Sequence, residues 1–425
     1  MNQKVSAKSN FGLYGWILVI YAFLVYAASG CQNQTFSVLN DYYTNTVGWA
    51  NSQQQLIISI SQLVCVVVMA FVGNLVRKIS PRKTAFVLLL ASAVLFYICS
   101  YIETYVLMAV IFVLTRCIAQ TCSMQLNGVF VNNWFPKKRG LVIGWATCGQ
   151  ALATTISTLL MGWGLRQFGV HGSYATISVM SLICAFIVLF VLRDYPEELG
   201  KHPDNDPNAV RQSMDQLKAH KTVWTAKRVL TTKEFWFISL SVAFMVFGAG
   251  FMSQIVPVLM MSGFAPPHIP LIMTLIGICA CVGSYIFGVV DVKIGTKRAM
   301  IITAALLIAM GVLVNIGGMV FVVIALVCLA MMLGAGSNYC VSMVTGCWGR
   351  EHFADVIRFA MPVTVIISGI APFCIAKVAE VFGGYNAAFV LAAITGVISI
   401  LLILPVKPGF AEKKEAKWAA LEAKK

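Results

Sequence analysis

The stretch GNLVRKISPRK, residues 73–83, is a short basic loop that follows a long apolar stretch, and a similar loop, GVVDVKIGTKR, follows a later one at residues 288–298. A second pair, FGVHGSYA at 168–175 and FGGYNAAF at 382–389, recurs with nearly the same offset, about half the chain. Two matching pairs at one offset indicate a duplication. Because both copies have the same orientation, they are typical of parallel halves built around a central pathway.

The stretches between these loops are apolar and long. Of the 425 residues, 59% are hydrophobic and only 11% are charged, with a mean hydropathy of +0.83, whereas soluble domains have about 25% charged residues. The apolar stretches are residues 13–31, 56–76, 84–101, 105–130, 141–165, 174–192, 235–261, 271–290, 300–316, 320–339, 359–381 and 389–404. About 20 apolar residues cross a bilayer as a helix. The sequence therefore predicts an all-α integral membrane protein with twelve transmembrane helices in two pseudo-symmetric six-helix halves.

The positive charge is concentrated on one side of the predicted membrane. The net charge is +15, and if both termini are cytoplasmic, the loops and tails on that side hold 28 of the 31 lysine and arginine residues. This asymmetry predicts a multi-pass protein of the cell membrane with both termini cytoplasmic, and it explains the basic composition without nucleic acid. The three remaining cations are Arg116, Arg166 and Lys377. Arg166 falls at an outer helix end, where a solvated or snorkelling side chain is expected.

A polar segment rich in proline and charge separates the halves. It predicts an N-terminal half at residues 1–192, a cytoplasmic linker at 193–233, a C-terminal half at 234–406 and a basic cytoplasmic tail at 407–425. Thr231 and Glu234 have the spacing of a capping box and predict the start of the seventh span. The first apolar stretch is too long for a signal peptide, so we expect it to be retained.

The sequence contains no recognisable catalytic or metal-binding motif. The 13 cysteines fall within or at the edges of the spans and have no metal-binding spacing. We find no P-loop, dinucleotide or hydrolase motif, so we expect neither an enzyme nor a cofactor or metal. The linker and tails are too short for the output domain of a sensor.

Arg116 lies in the middle of the fourth span. It is 11 residues from Tyr105, hence roughly 16 Å deep, where an arginine costs at least about 2.5–3.5 kcal/mol. Gln120, Ser123 and Asn127 follow on the same helix face, so the polar stripe must face other helices or a water-filled cavity. Three roles remain open for Arg116: binding an anion, holding helices together, and forming a gating ion pair.

Polar residues of other spans extend this candidate site, although glutamine and serine also join helices. The predicted substrate-binding residues are Arg116, Gln120, Ser123, Asn127, Gln55, Gln62, Gln150, Gln254, Tyr285 and Tyr339. The predicted gating or coupling residues are Lys377, Glu380, Arg77 and Asp291. Acidic residues are scarce in the spans, so a proton relay lacks an obvious central carboxylate.

The loop at 73–83 resembles the loop between helices two and three of the major facilitator superfamily. The matching positions are Gly73, Leu75, Lys78, Arg82 and Lys83. Arg77 stands where that family has an aspartate, Ser80 where it has a glycine, and Asp291 comes one place early in the second copy. The resemblance implies the major facilitator fold, with a rewired charge network at this loop.

A narrower resemblance covers most of the chain. The stretches VNNWFPKKRGLVIGWATCGQALA at 131–153, RDYPEE at 193–198 and TTKEFW at 231–236 are similar to the oxalate/formate exchanger family, which is close to the monocarboxylate transporters. The resemblance implies a carrier of organic anions, although family does not determine substrate. The arginine and lysine of that family's oxalate carriers align with Ser284 and Ile366, which argues against oxalate.

These observations predict a secondary active transporter that moves a small organic anion, a monocarboxylate, by alternating access. Proton symport and anion exchange both remain open, so the expected partners are the substrate, protons or a counter-anion, and the lipid bilayer. We expect a monomer. The alternative is an exporter of neutral or amphipathic compounds in which Arg116 is structural.

Overall fold

A computed structural model describes residues 12–76, 80–135, 139–202, 224–348, 352–407 and 409–422. Within these ranges the regular secondary structure is helical and no strand occurs. The predicted all-α fold class is confirmed. Long apolar segments favour helices because a helix satisfies its own backbone hydrogen bonds in a medium without water.

The first half of the chain contains seven helices in the described ranges. They are α1 (Gly12–Asn33), α2 (Thr35–Val38), α3 (Asn51–Val76), α4 (Pro81–Ile98), α5 (Tyr105–Thr121), α6 (Asn127–Trp134) and α7 (Arg139–Phe186). A π-helical turn, Cys122–Leu126, joins α5 and α6 into one span. Gly169 divides α7 into two spans, because its φ of 66° and ψ of −157° are not helical. Glycine adopts this backbone conformation without the clash that a Cβ would cause.

The second half contains nine helices in the described ranges. They are α8 (Ala226–Leu230), α9 (Lys233–Val246), α10 (Ile255–Met261), α11 (Ile269–Ile294), α12 (Thr296–Ile316), α13 (Met319–Trp348), α14 (Phe353–Val381), α15 (Tyr385–Ile403) and α16 (Phe410–Glu422). A 3₁₀ stretch, Phe247–Gln254, joins α9 to α10.

By length and composition, nine helical segments of the described residues qualify to cross a membrane, and bent α13 adds a tenth. One of the nine, Thr155–Val191, runs across the break at Gly169, so α7 provides two spans where one segment is counted. Helix α3 is a further long helix. The count of twelve predicted spans is consistent with these segments.

Contacts divide the chain into two compact units. The first comprises the described residues within Met1–Gln32, Val67–Ala153 and Leu160–Leu217. The second comprises those within Asn33–Val66, Thr154–Leu159 and Lys218–Lys425. The second unit therefore contains segments of both predicted halves. The predicted boundaries at 192 and 233 follow the duplication rather than these contacts, and they remain a prediction.

Asp194, from the RDYPEE stretch, holds the start of α4 in the first unit. Its carboxylate accepts hydrogen bonds from the Ser80 hydroxyl and from the Arg82 backbone N–H, the latter at 2.8 Å. The Arg82 guanidinium donates to the Leu189 carbonyl, with Nε at 3.1 Å. A carboxylate at a helix N-terminus satisfies unpaired N–H groups and interacts favourably with the helix dipole.

Helix α16, within the predicted tail, packs on an aromatic core of the second unit. The Trp224 ring contacts Trp348 and Trp418 at centroid distances of 5.7 and 4.8 Å. The Trp224 indole N–H donates to the Glu415 carboxylate. The predicted tail therefore includes a docked helix.

The start of α9 differs from the predicted capping box. The helix begins at Lys233 without a side-chain cap, and the Thr231 hydroxyl donates to the Lys227 carbonyl at 2.8 Å. Glu234 pairs with Lys414 of α16 at 2.5 Å. The predicted capping box is wrong, because α8 and α16 provide competing partners for both side chains.

Candidate functional site

Arg116 lies on α5 against α1. Its side chain is buried, with 3% exposure, and Nη1 donates to the Ser29 carbonyl at 2.5 Å. The Ser29 hydroxyl donates to Gln120 Oε1 at 3.1 Å, one helical turn along α5. Ser29 therefore contacts two of the predicted site residues. The sequence did not point to Ser29, because a single serine in an apolar span has no distinctive pattern.

Farther along the polar stripe, Asn127 also contacts α1. Ser123 is buried and its hydroxyl donates to the Gln120 carbonyl at 3.1 Å. Asn127 is 1% exposed, and its amide donates to the Ala22 carbonyl of α1 at 3.2 Å. Among the described residues, Asn127 Oδ1 has no hydrogen-bond partner. Contacts with α1 therefore occur on both sides of the π-helical turn, through Arg116 of α5 and Asn127 of α6.

Gln150 of α7 approaches the same part of α1 at Gly30. A Cβ atom at Gly30 would lie 3.1 Å from the Gln150 amide nitrogen and 2.4 Å from the Ala153 Cβ. The glycine therefore permits the close approach of α1 and α7. We call Ser29, Gly30, Arg116, Gln120 and Gln150 the α1 polar cluster.

The formal charge of the α1 polar cluster is positive. Arg116 carries it, and the six apolar stretches of the first half contain no aspartate or glutamate. A guanidinium binds a carboxylate through two parallel hydrogen bonds, and the attraction is stronger in a medium of low dielectric constant than in water. The cluster therefore has the chemistry of a site for an organic anion.

Three predicted site residues lie in a different polar region, in the second unit. Gln55 of α3 accepts a hydrogen bond from the Ser253 hydroxyl at 2.7 Å. Gln254 is buried and donates to the Pro372 carbonyl of α14 at 2.8 Å. Gln62 is half-buried, and its Cβ would be 3.2 Å from a Cβ atom at Gly369. These glutamines join α3 to segments of the second half.

The two predicted tyrosines have different environments. Tyr339 is buried and its hydroxyl shares a hydrogen bond of 2.8 Å with the Thr303 hydroxyl. Tyr285 on α11 is 76% exposed. The role of Tyr285 in substrate binding remains a prediction.

The predicted gating residues are only partly brought together. Lys377 Nζ lies 3.4 Å from Glu380 Oε2, and Glu380 Oε1 accepts the Ser52 N–H at 2.5 Å. Asp291 is half-buried near the end of α11. Arg77 lies outside the described residues. Across the described ranges, no three histidine, cysteine, aspartate or glutamate side chains are placed to hold a metal ion.

Helices long and apolar enough to cross a membrane define a multi-pass membrane protein, and comparison with known proteins identifies its family. The model of the Major Facilitator Superfamily matches residues 22–345. This match covers well over half of the chain. The chain belongs to the Major Facilitator Superfamily, and it is accordingly a transporter and not an enzyme.

Individual relatives are distant. Monocarboxylate transporter 14 of Homo sapiens is 22% identical over 214 residues, which are 50% of this chain and 40% of that protein. A glucose-6-phosphate exchanger of Bos taurus is 33% identical over 88 residues, 20% of this chain and 18% of that protein. The chain thus aligns with less than half the length of each of these relatives.

Solved structures show the fold over nearly the whole chain. The inward-facing, unoccupied structure of a bacterial homolog to the human lysosomal transporter Spinster has a TM-score of 0.73, at 14% identity, over 92% of this chain and 96% of that chain. The inward-facing, occupied structure has a TM-score of 0.68 over the same shares, also at 14% identity. At this identity the likeness concerns the fold alone.

Proposed function

We propose that this transporter carries a small organic anion, a monocarboxylate, across the cell membrane by alternating access, with Arg116 as the counter-ion of the substrate. The observation that carries the proposal is the burial of Arg116 in the middle of a span, in a half whose apolar stretches contain no acidic residue. A buried cation at that depth is costly and typically functional. Gln120 lies on the same face of α5 and also contacts Ser29, and Gln150 of α7 approaches the next residue, Gly30.

The names of the two relatives agree with an organic anion. One is a monocarboxylate transporter and the other exchanges glucose-6-phosphate, and both a carboxylate and a phosphate ester are negatively charged at neutral pH. A single buried cation suits one carboxylate better than two. We therefore favour a monocarboxylate over a dicarboxylate or a sugar phosphate.

Uptake into proteoliposomes tests this proposal. A panel of labelled monocarboxylates, dicarboxylates, sugar phosphates and neutral analogues is compared between the wild type, Arg116→Gln and Arg116→Lys. We expect uptake confined to monocarboxylates, reduced tenfold or more by Arg116→Gln because a charged hydrogen-bonding group is lost from a buried site. Lysine keeps the charge without the bidentate geometry, so Arg116→Lys should retain part of the uptake.

The matched control is Arg166→Gln, which removes the same side chain from an exposed position on α7. Its uptake should equal that of the wild type. Wild-type rates in Arg116→Gln would disprove the counter-ion role.

One observation favours a second candidate function. The Arg116–Ser29 hydrogen bond, 2.5 Å long, joins α5 to the backbone of α1, which is what a purely structural arginine would do. In that case the protein is an exporter of neutral or amphipathic compounds. The same panel separates the two functions, because export of neutral compounds would survive Arg116→Gln in any variant that folds.

We propose two alternative coupling mechanisms, proton symport and anion exchange. Lys377, Glu380, Arg77 and Asp291 are the residues we assign to gating or coupling, and the Lys377–Glu380 pair is the one seen in contact. Uptake driven by an imposed pH gradient into empty vesicles would support symport. Uptake that needs an anion preloaded inside the vesicles would support exchange.

A further inference from the structure

Three side chains from different spans close a hydrogen-bonded triangle in the second unit. The Asn51 amide, at the first residue of α3, lies 3.2 Å from Gln254 Oε1 and 3.0 Å from the Tyr385 hydroxyl. The third side is the hydrogen bond from the Tyr385 hydroxyl to Gln254 Oε1, at 2.9 Å. Tyr385 is the first residue of α15, so the triangle joins the starts of two helices to the end of the 3₁₀ stretch before α10.

Donors and acceptors in the triangle are mutually consistent. Gln254 Nε2 donates to the Pro372 carbonyl at 2.8 Å, which turns its Oε1 toward Asn51 and Tyr385. Asn51 donates through its amide, and the Tyr385 hydroxyl accepts one hydrogen bond and donates another. A network in which each bond has one donor and one acceptor holds a specific geometry.

A charged contact lies beside the triangle. Glu380 near the end of α14 accepts the backbone N–H of Ser52 at 2.5 Å. A carboxylate at the start of α3 accepts a hydrogen bond from an N–H group that has no partner within the helix, and it interacts favourably with the positive end of the helix dipole. The Lys377 ammonium, 3.4 Å from Glu380 Oε2, is 55% exposed and therefore contributes less.

These contacts connect the two predicted halves of the chain at one end of the spans. Asn51 and Ser52 belong to the predicted N-terminal half, and their partners belong to the predicted C-terminal half. The partners are up to 334 positions away along the chain. Ser59, farther along α3, continues the connection, since its hydroxyl accepts the Phe373 N–H at 3.2 Å.

Alternating access requires the two halves to separate at one end of the pathway and then at the other. The residues that tie the halves together here are Asn51, Ser52, Gln254, Glu380 and Tyr385. We propose that they form a latch, a set of hydrogen bonds that breaks each time the carrier opens at this end. The strength of these bonds sets the equilibrium between the closed and open states at this end. The proposal rests on alternating access, but it does not depend on the identity of the substrate.

Hydrogen–deuterium exchange of the full chain in lipid nanodiscs, without substrate, tests the latch. Tyr385→Phe removes two sides of the triangle and retains the ring, and Asn51→Ala removes two sides from the other end. One lost net hydrogen bond corresponds to about a fivefold change in an opening equilibrium. We therefore expect exchange about fivefold faster or more in peptides that contain residues 52–55 and 372–377.

The matched control is Ser399→Ala on α15. It removes a buried hydroxyl whose partner, Ser241, lies in the same predicted half, at 3.1 Å between the two hydroxyl oxygens. Exchange in the two latch peptides should be unchanged in this variant. Peptides from α5 report on destabilisation of the whole protein, and their hydrogen–deuterium exchange should be unchanged in all variants.

The double variant Asn51→Ala with Tyr385→Phe should exchange no faster than the faster single variant, because both changes open one network. Unchanged exchange in both single variants, or fully additive effects in the double variant, would overturn the latch. Because no substrate is present, this result is independent of the uptake results for Arg116.

Discussion

Arg116 is held against α1 by a hydrogen bond to a backbone carbonyl. The Ser29 carbonyl accepts a hydrogen bond from the guanidinium, and Gly30, the next residue, lies at a close approach of α7 to α1. Every residue type has a backbone carbonyl, whereas the missing Cβ is particular to glycine. At the scale of the residue, the site therefore depends on small residues of α1 as much as on the arginine.

Gly30→Ala should destabilise the protein. The added Cβ would lie 2.4 Å from the Ala153 Cβ, so the helices must shift, and overpacking of this kind costs about 1–3 kcal/mol. Thermal unfolding of the purified protein should show a lower midpoint than for the wild type. Gly162→Ala on α7 is the control, because nothing lies within 4 Å of its added Cβ. Equal midpoints for the two variants would contradict the close approach.

At the scale of the element, helix starts depend on partners that are distant in the chain. The loop consensus has an aspartate where this chain has Arg77, and a different acid, Asp194, binds the start of α4. Asp194 comes from the segment after the sixth span, 112 positions away from Arg82. A charge network that looks incomplete in the loop is thus supplied in part from elsewhere.

Asp194→Ala should weaken the start of α4. Loss of a capping carboxylate costs about 0.5–2 kcal/mol of stability, so the midpoint of thermal unfolding should fall. Glu197→Ala provides the comparison, since Glu197 is an exposed acid in the adjacent 3₁₀ turn Pro196–Leu199. If both variants unfolded like the wild type, Asp194 would have no capping role.

At the scale of the whole molecule, contacts do not follow the order of the chain. The second unit takes in residues 33–66 and 154–159 from the predicted N-terminal half. The latch residues Asn51 and Ser52 belong to the first of these segments. A duplicated sequence can therefore predict two equal halves while the contacts group the residues differently.

The charge asymmetry predicts the orientation in the membrane. A green fluorescent protein fused after residue 425 should fluoresce, because the predicted C-terminus is cytoplasmic, where the reporter folds. Alkaline phosphatase fused after Gly317, between α12 and α13, should be active, because that loop is predicted to face outwards. An active phosphatase at the C-terminus would show that the positive-inside pattern misassigns this chain.

Much of the candidate site could not be predicted from the sequence. Helical periodicity placed Arg116, Gln120, Ser123 and Asn127 on one predicted polar stripe, although a π-helical turn, Cys122–Leu126, interrupts the regular period in the structure. It could not show that the stripe packs against α1. Nor could it show that Tyr285 is exposed or that Gln254 bonds to Tyr385, because a helix pattern does not specify its neighbour.

The sequence by itself determined the fold class, through the length and recurrence of its apolar stretches. A bilayer allows few ways to satisfy a buried backbone, so composition is sufficient for that conclusion. Only the tertiary structure decided which residues meet: the Ser29 carbonyl with Arg116, Asp194 with the start of α4, and Asn51 with Tyr385. These contacts join positions far apart in the chain, several through backbone atoms that every residue type has in common, and a sequence pattern therefore cannot reveal them.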